Sequence, residues 1–260
     1  MAGLEYIFEV NGLSFAYDKH EVLRDISFNI AKNRFTVILG QNGSGKSTLM
    51  RILAGLIPYH SGSVKINYIE LNEMKARYRA RSIGFLAQKH KAVFPFTVSD
   101  VVLTGRAARV SYLPTERDMH VVHNSLEMIG IYHLRDRLYT ELSGGEQQLV
   151  MIARTLAQEP EIILFDEPVS HLDYNNQIRV MGLIRQLVGR GLTIVAVLHD
   201  PNLAFHFGDR FAFIHNHHVY EAAEEKPWHH RLVREIFHEN IDITEHEGRC
   251  LFSPGTVKSS

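Results

Sequence analysis

The sequence is poor in cysteine: among 260 residues only Cys250 carries a thiol. A lone cysteine excludes an intramolecular disulfide and a cysteine-built zinc cage, and it fits a reducing compartment. Long hydrophobic runs are also missing, since no stretch approaches the ~18 consecutive apolar residues of a membrane span. Neither sign of charge dominates. Lys and Arg total 28 against 29 Asp and Glu, a formal net charge of -1, which offers no bulk attraction for nucleic acid or anionic lipid. The first ten residues, Met1 to Val10, hold Glu5 and Glu9 and no basic patch, so they do not read as a secretory signal. A cytosolic chain is expected, and any membrane process it serves needs another polypeptide to cross the bilayer.

What is present suffices for a full globular core, with 45% hydrophobic and 22% charged residues. Phe8 to Phe15 alternates as a strand, and Thr36 to Leu39 is a short apolar run ending at a glycine. Leu49, Ile52, Leu53 and Leu56 then fall at helical spacing until Pro58 and Ser61-Gly62 interrupt. From about Lys89 to Leu142 the pattern is helical. Thr97 with Asp100 has capping-box spacing, and Thr115 can cap a second helix whose face is Met119, Val122, Leu126 and Ile129, ended by Gly130. A third helix carries Leu149, Ile152, Ala153 and Leu156 and stops before Pro160. Ile162 to Phe165 and Thr193 to Leu198 read as strands buried on both faces, with a helix presenting Val180, Leu183, Ile184 and Leu187 between them. Strand, helix, strand is a βαβ unit, so the fold class is α/β with a parallel sheet. The stretch after Glu221 is polar and mixed, and its pattern assigns no element.

Three strings carry chemistry. Gly40-Gln41-Asn42-Gly43-Ser44-Gly45-Lys46-Ser47-Thr48 fits GxxxxGK(S/T), a P-loop. Its glycines let amides curl around phosphate oxygens at a helix N-terminus, Lys46 reaches the β- and γ-phosphates and Ser47 ligates Mg2+. Ile162 to Phe165 ends in Asp166 and Glu167, placed to hold Mg2+ and to orient or deprotonate a water. With the P-loop, this pair points to nucleoside triphosphate hydrolysis. Leu142-Ser143-Gly144-Gly145-Glu146-Gln147-Gln148 sets a serine and two glycines before a helix, a second candidate anion-binding N-terminus.

With that third string the sequence resembles the ATP-binding subunits of ABC transporters, whose signature reads LSGGQ; Glu146 stands where Gln is commonest. The resemblance extends over nearly the full chain. It implies a P-loop NTPase core of the RecA-like kind with an antiparallel β subdomain and an inserted α-helical subdomain. The boundaries are residues 1–88 for the β subdomain and P-loop core, 89–142 for the insertion with the signature at 142–148, 143–220 for the return to the core and 221–260 for a tail packed on it. By the same resemblance Tyr17 stacks on adenine and Gln88 senses Mg2+ and the γ-phosphate. Ser170-His171-Leu172-Asp173 is the D-loop at a dimer interface, and His199 contacts the γ-phosphate. Two subunits are then expected to pair head to tail around two ATP molecules, with Ser143, Gly144 and Gly145 of one facing Lys46 of the other. The catalytic set is Glu167, His199 and Gln88, and Ser47, Gln88 and Asp166 hold Mg2+.

Thr97-Val98-Ser99-Asp100-Val101-Val102-Leu103-Thr104-Gly105-Arg106 is similar to the TVxDVVxxGR stretch of importers for iron-siderophores, haem and cobalamin and related metal-chelate or oxyanion systems. The expected partners are integral-membrane permease subunits and, indirectly, a periplasmic or extracellular substrate-binding protein. No nucleic acid is expected, and the site of action is the cytoplasmic face of the cell membrane. Phe94-Pro95-Phe96 reads either as core filler or as a groove wall for a permease helix. The alternative function is a soluble ABC ATPase working on ribosomes or DNA, although such relatives usually carry two cassettes or a long insertion. Sixteen histidines are the compositional oddity. His215, His217, His218, His229, His230, His238 and His246 crowd the last part of the chain; they read either as ligands of a metal-sensing tail or as separate surface residues, and their spacing matches no closed zinc site.

Overall fold

The computed structural model describes residues 5–88, 95–110, 112–222, 226–237, 241–246 and 248–255. Lys89 to Phe94 and His238 therefore lie outside the described residues. In chain order the elements are β1 (Tyr6–Tyr17), β2 (His20–Ala31), β3 (Phe35–Gly40), α1 (Lys46–Leu53), β4 (Ser61–Ile66), β5 (Ile69–Glu70), α2 (Ala76–Ser82) and β6 (Ile83–Leu86). Then come α3 (Val98–Leu103), α4 (Glu116–Ile129), α5 (Gly144–Ala157), β7 (Ile162–Asp166), α6 (Tyr174–Gly189) and β8 (Thr193–Val197). The chain closes with α7 (Pro201–Phe207), β9 (Arg210–His215), β10 (His218–Glu221), α8 (Arg231–Phe237), β11 (Ile241–His246) and β12 (Arg249–Pro254). Among the described residues no helix is long and apolar enough to cross a membrane. The chain divides into two compact units, residues 1–72 with 195–260, and residues 73–194.

In the first unit β1 pairs antiparallel with β2 on one side and β4 on the other, and β5 extends β4, giving the order β2-β1-β4-β5. This is the expected antiparallel subdomain. Beside it β3 runs parallel to β9, which turns back into β10. All six residues of β3 are buried, as a strand covered on both faces must be. Of the apolar positions assigned to the following helix, Leu49, Ile52 and Leu53 are buried, whereas Leu56 lies past its end and is 61% exposed. The helix stops a turn earlier than the spacing suggested, because Gly55 takes the left-handed conformation at φ 66° and the Leu56 amide turns back to the Arg51 carbonyl.

The tail that lacked a readable pattern is ordered in pieces. Leu232, Val233 and Ile236 form the buried face of α8, and β11 pairs antiparallel with β12. One side chain fastens this hairpin to α7: Asn202 donates Nδ2 to the Phe252 carbonyl at 3.2 Å and accepts its amide at 2.8 Å. Phe252 also stacks on Phe205 of α7, ring centres 5.3 Å apart.

The second unit is mainly helical, with β6 and β7 as a parallel pair. Its helices begin with reciprocal caps. Thr97 with Asp100 and Thr115 with Asp118 both form complete capping boxes, and Gly130 closes α4 in the left-handed conformation at φ 74°. Each cap satisfies amides that a helix start leaves unpaired. The inward faces of α5 and α6 are the predicted ones: Leu149, Ile152, Ala153 and Leu156 on the former, Val180, Leu183, Ile184 and Leu187 on the latter. A buried arginine ties the base of α3 to this core. Arg106 donates to Asp118, Glu159 and the Ala157 carbonyl at 3.0, 2.6 and 2.9 Å.

Candidate nucleotide site

In the first unit the P-loop leaves the buried end of β3 and enters α1. Gly45 takes φ 100°, a backbone conformation that an L side chain resists. Lys46 is 5% exposed, and its ammonium donates to the Gly40 and Gln41 carbonyls, both at 2.8 Å. The Ser44 hydroxyl is buried with no hydrogen-bond partner among the described residues, a costly arrangement unless a ligand completes it. Tyr17, at the end of β1, keeps 44% of its surface exposed and meets Phe15 edge-on at 4.8 Å, an exposure that leaves room for stacking.

Gly40, Gln41, Asn42 and His199 line one cavity of about 410 Å3, together with Ile236 and Phe237 of α8. The structure thus brings the P-loop and His199 together. It also adds a wall that the sequence reading missed. Gln41 donates its side-chain amide to the Glu235 carbonyl at 2.9 Å, while Glu235 pairs with His215 at 3.1 Å. The readable signal was the spacing of Leu232, Val233 and Ile236, obscured by the charged residues between them.

The second unit gathers the other residues. Gln88 donates Nε2 to Glu167 Oε2 at 2.6 Å, fixing the carboxylate at the end of β7. Asp166 is 3% exposed, and Glu167 sits at φ 58°, a strained choice for a non-glycine residue that favours a functional position. The signature enters the same network: Gln148 donates to the Pro168 carbonyl at 2.6 Å. Ser143 caps α5, and its amide donates to Glu146 at 2.8 Å. That bond, with the Ser143 hydroxyl next, holds the Glu146 carboxyl below its ordinary pKa. A Cβ on Gly145 would come within 2.7 Å of the Asn176 side chain, so a larger residue there would displace it. Asn176 in turn donates to Asp173 at 2.6 Å. The D-loop aspartate therefore caps α6, and one asparagine joins it to the signature. The Asn176 amide and side chain hold the Asp173 carboxyl below its usual range.

The histidines are dispersed. His217 turns its Nδ1 to the Val22 carbonyl, His229 contacts Glu245, and His230 stacks on Phe213. Asn216 and His217 both take positive φ, 48° and 68°, in the β9–β10 turn, where glycine would be the easier residue. Among the described residues no three His, Cys, Asp or Glu side chains converge as a metal site. Phe96 is 52% exposed, so it is not core filler.

Comparison with known proteins supports the same assignment. Residues 23–170 match the ABC transporter family. The petrobactin import ATP-binding protein FpuD of Bacillus anthracis is 34% identical over 240 residues, covering 91% of this chain and 88% of that protein. The hemin import ATP-binding protein HmuV of Gloeobacter violaceus is 38% identical over 200 residues, covering 74% and 73%. Among solved structures, one described as the inward-facing conformation of an ABC transporter assigned to the metal-chelate type superposes with TM-score 0.81 at 27% identity, covering 98% of this chain and 99% of that one. A dimeric bacterial ABC transporter cassette, MJ0796, gives TM-score 0.72 at 30% identity, covering 82% and 96%. With a P-loop, a carboxylate-ended strand and the LSGGE string on this fold, the chain belongs to the ABC transporter family as an ATP-binding and ATP-hydrolysing cassette.

Proposed function

We propose that this cassette powers the uptake of a metal chelate, such as an iron-siderophore, haem or cobalamin, or of a related oxyanion, through separate permease subunits at the cytoplasmic face of the membrane. The observation that carries this reading is likeness over the whole length, tail included, to a transporter of the metal-chelate type and to import subunits named for petrobactin and hemin. A soluble cassette acting on ribosomes or DNA is not favoured, because the relatives include import subunits named for petrobactin and hemin. A periplasmic or extracellular binding protein would deliver the cargo. Exposed Phe96 is proposed as part of the surface that meets a permease helix.

In this proposal Tyr17 stacks on adenine, and the amides from Gly40 to Thr48 with Lys46 hold the phosphates. The exchange is direct for Lys46, which gives up two carbonyl bonds for phosphate oxygens and gains charge assistance. Ser47, Asp166 and Gln88 supply oxygen donors of the kind that Mg2+ takes, and the orphaned Ser44 hydroxyl fits a polar ligand in that loop. When bound, the ion neutralises charge on the β- and γ-phosphates. Glu167 accepts the proton of the attacking water, Gln88 keeps its carboxylate aimed, and His199 donates to the γ-phosphate. Ser143, Gly144 and Gly145 reach the γ-phosphate of the opposite subunit, with Asp173 at the same interface. ATP then favours the closed head-to-tail dimer through its differential affinity for that state.

The test uses Glu167→Gln. Removing a general base lowers hydrolysis by about 10²–10⁴-fold, while ATP binding persists and a dimer appears on size exclusion with Mg-ATP. The tagged variant, purified from its host in mild detergent, brings down a membrane protein of many spans. Normal turnover would remove the role given to Glu167. Recovery of ribosomal or DNA-repair proteins without a membrane partner would remove the transport reading.

A further inference from the structure

A second cavity, of about 330 Å3, lies within the unit formed by residues 73–194, lined by Arg81, Arg106, Arg109, Arg117, Asp118 and Glu159. Four guanidinium groups against two carboxylates leave a surplus of two positive charges. The arginines come from three segments: Arg81 from the last turn of α2, Arg106 and Arg109 from the turns after α3, and Arg117 from the first turn of α4. Convergence of this kind is not the solvated edge of a single helix.

Three of the four are fixed from behind. Arg106 is locked by its bonds to Asp118, Glu159 and Ala157, with 4% of its side chain exposed. Arg109 donates Nε to the Gln158 carbonyl at 2.9 Å and a terminal nitrogen to the Glu159 carbonyl at 3.0 Å. Arg81 donates Nε to the Ala108 carbonyl at 3.0 Å. A guanidinium offers five N–H donors in a rigid fork, so these contacts aim Arg81 and Arg109 while leaving N–H groups for a ligand. Arg117 is exposed and makes no ion pair with any described residue.

Both carboxylates are already engaged: Glu159 pairs with Arg106 at 2.6 Å and with Arg109 at 3.6 Å. One oxygen of Asp118 accepts from Arg106, and the other accepts the Thr115 amide at 2.9 Å and hydroxyl at 2.7 Å. The Thr115 amide, then its hydroxyl and then Arg106, holds the Asp118 carboxyl at a pKa of about 2. At the cavity, Leu113 is 78% exposed, and the adjoining Tyr112 is 99% exposed. Protruding apolar residues beside a basic cavity are what the headgroup region of an anionic bilayer accommodates.

We propose that this cavity binds a phosphate-class oxyanion, free or carried on a lipid headgroup, with Arg81, Arg109 and Arg117 as donors and Arg106 as the fixed charge behind them. The site is independent of the nucleotide reading, and ATP turnover by Arg117→Ala alone is expected to match that of the native chain.

The experiment titrates inorganic phosphate calorimetrically, at constant ionic strength, into a Lys46→Ala protein whose P-loop has lost its phosphate-binding lysine. The same titration is run with Arg117→Ala or Arg81→Ala added. Loss of one charge-assisted donor is expected to weaken binding about tenfold. Arg106 is left intact because it holds the fold. A second arm sediments the protein with phosphatidylcholine vesicles with and without phosphatidylglycerol. Binding that requires phosphatidylglycerol, and that falls in both Arg117→Ala and Tyr112→Ser, assigns the lipid source. Phosphate binding without vesicle binding assigns the free anion. Absence of both, or binding that the arginine variants leave unchanged, overturns the proposal.

Discussion

The helices α1 and α5 both start at glycine-rich turns, yet their first turns are completed in opposite ways. At α1 the N-cap is Gly45, which has no side chain to offer, and no acidic residue lies in the first turn. At α5 Ser143 takes the Glu146 amide, and the Glu146 carboxylate takes the Ser143 amide and hydroxyl. Both ends carry the same partial positive charge from the aligned peptide dipoles. One presents it to a ligand, while the other already satisfies it with an anion of its own. A glycine-rich turn before a helix is therefore not by itself an anion site. What decides is whether a nearby side chain completes the first turn, and the fifth residue of the signature, Glu146, does so here.

The largest expected effect breaks the open end. Lys46→Ala removes the charged donor, and ATP affinity should fall by about tenfold to a hundredfold, measured with a fluorescent nucleotide. The melting temperature without nucleotide should change less than the affinity, because two of the bonds Lys46 makes go to carbonyls of its own loop. Next is the closed end. Ser143→Ala removes one half of the capping box and should cost about 1 kcal/mol of stability, lowering the melting temperature by about 2–4 °C. A nucleotide-free protein of unchanged stability would show that the cap contributes nothing.

The smallest effect sharpens the contrast. Glu146→Gln keeps a hydrogen-bond acceptor but discards the charge, so stability should drop by about 0.3–1 kcal/mol while ATP-driven dimerisation tightens. The pH dependence follows from the lowered carboxyl pKa. A depressed acid stabilises above its unfolded value of about 4.3 and loses that contribution as pH falls through the folded value. The native chain should therefore exceed the variant in stability at neutral pH, and the difference should close in acid. A gap that stays constant with pH would contradict the carboxylate as its source.

Much of this contrast was legible beforehand. The P-loop, both threonine caps and the faces of α4, α5 and α6 follow from local spacing, because each depends on residues within a few positions of one another. The contacts that escaped are made by tertiary structure. Nothing near Gln41 in sequence announces the Glu235 carbonyl, and nothing near Asn202 announces Phe252. The network around Arg106 joins three segments through a residue type that patterns assign to the surface. Ser143 was read as a phosphate contact, and its capping role is compatible with that only if the Glu146 carboxylate yields. The left-handed conformation of Glu167 has no signature in composition. The Gln88–Glu167 bond confirms that these two polar residues meet, not what they do.

Trp228 is the chain's single tryptophan. Its indole N–H is held by Glu245 at 2.9 Å, and its ring stands edge-on to Phe205 at 6.3 Å. Phe205 belongs to α7, which begins two residues after His199. The tryptophan emission of the whole protein therefore arises from one place, at the junction of the tail with the helix behind the histidine. A shift of that helix registers as a change in colour or intensity, with no label attached and no second fluorophore of its kind to dilute the signal.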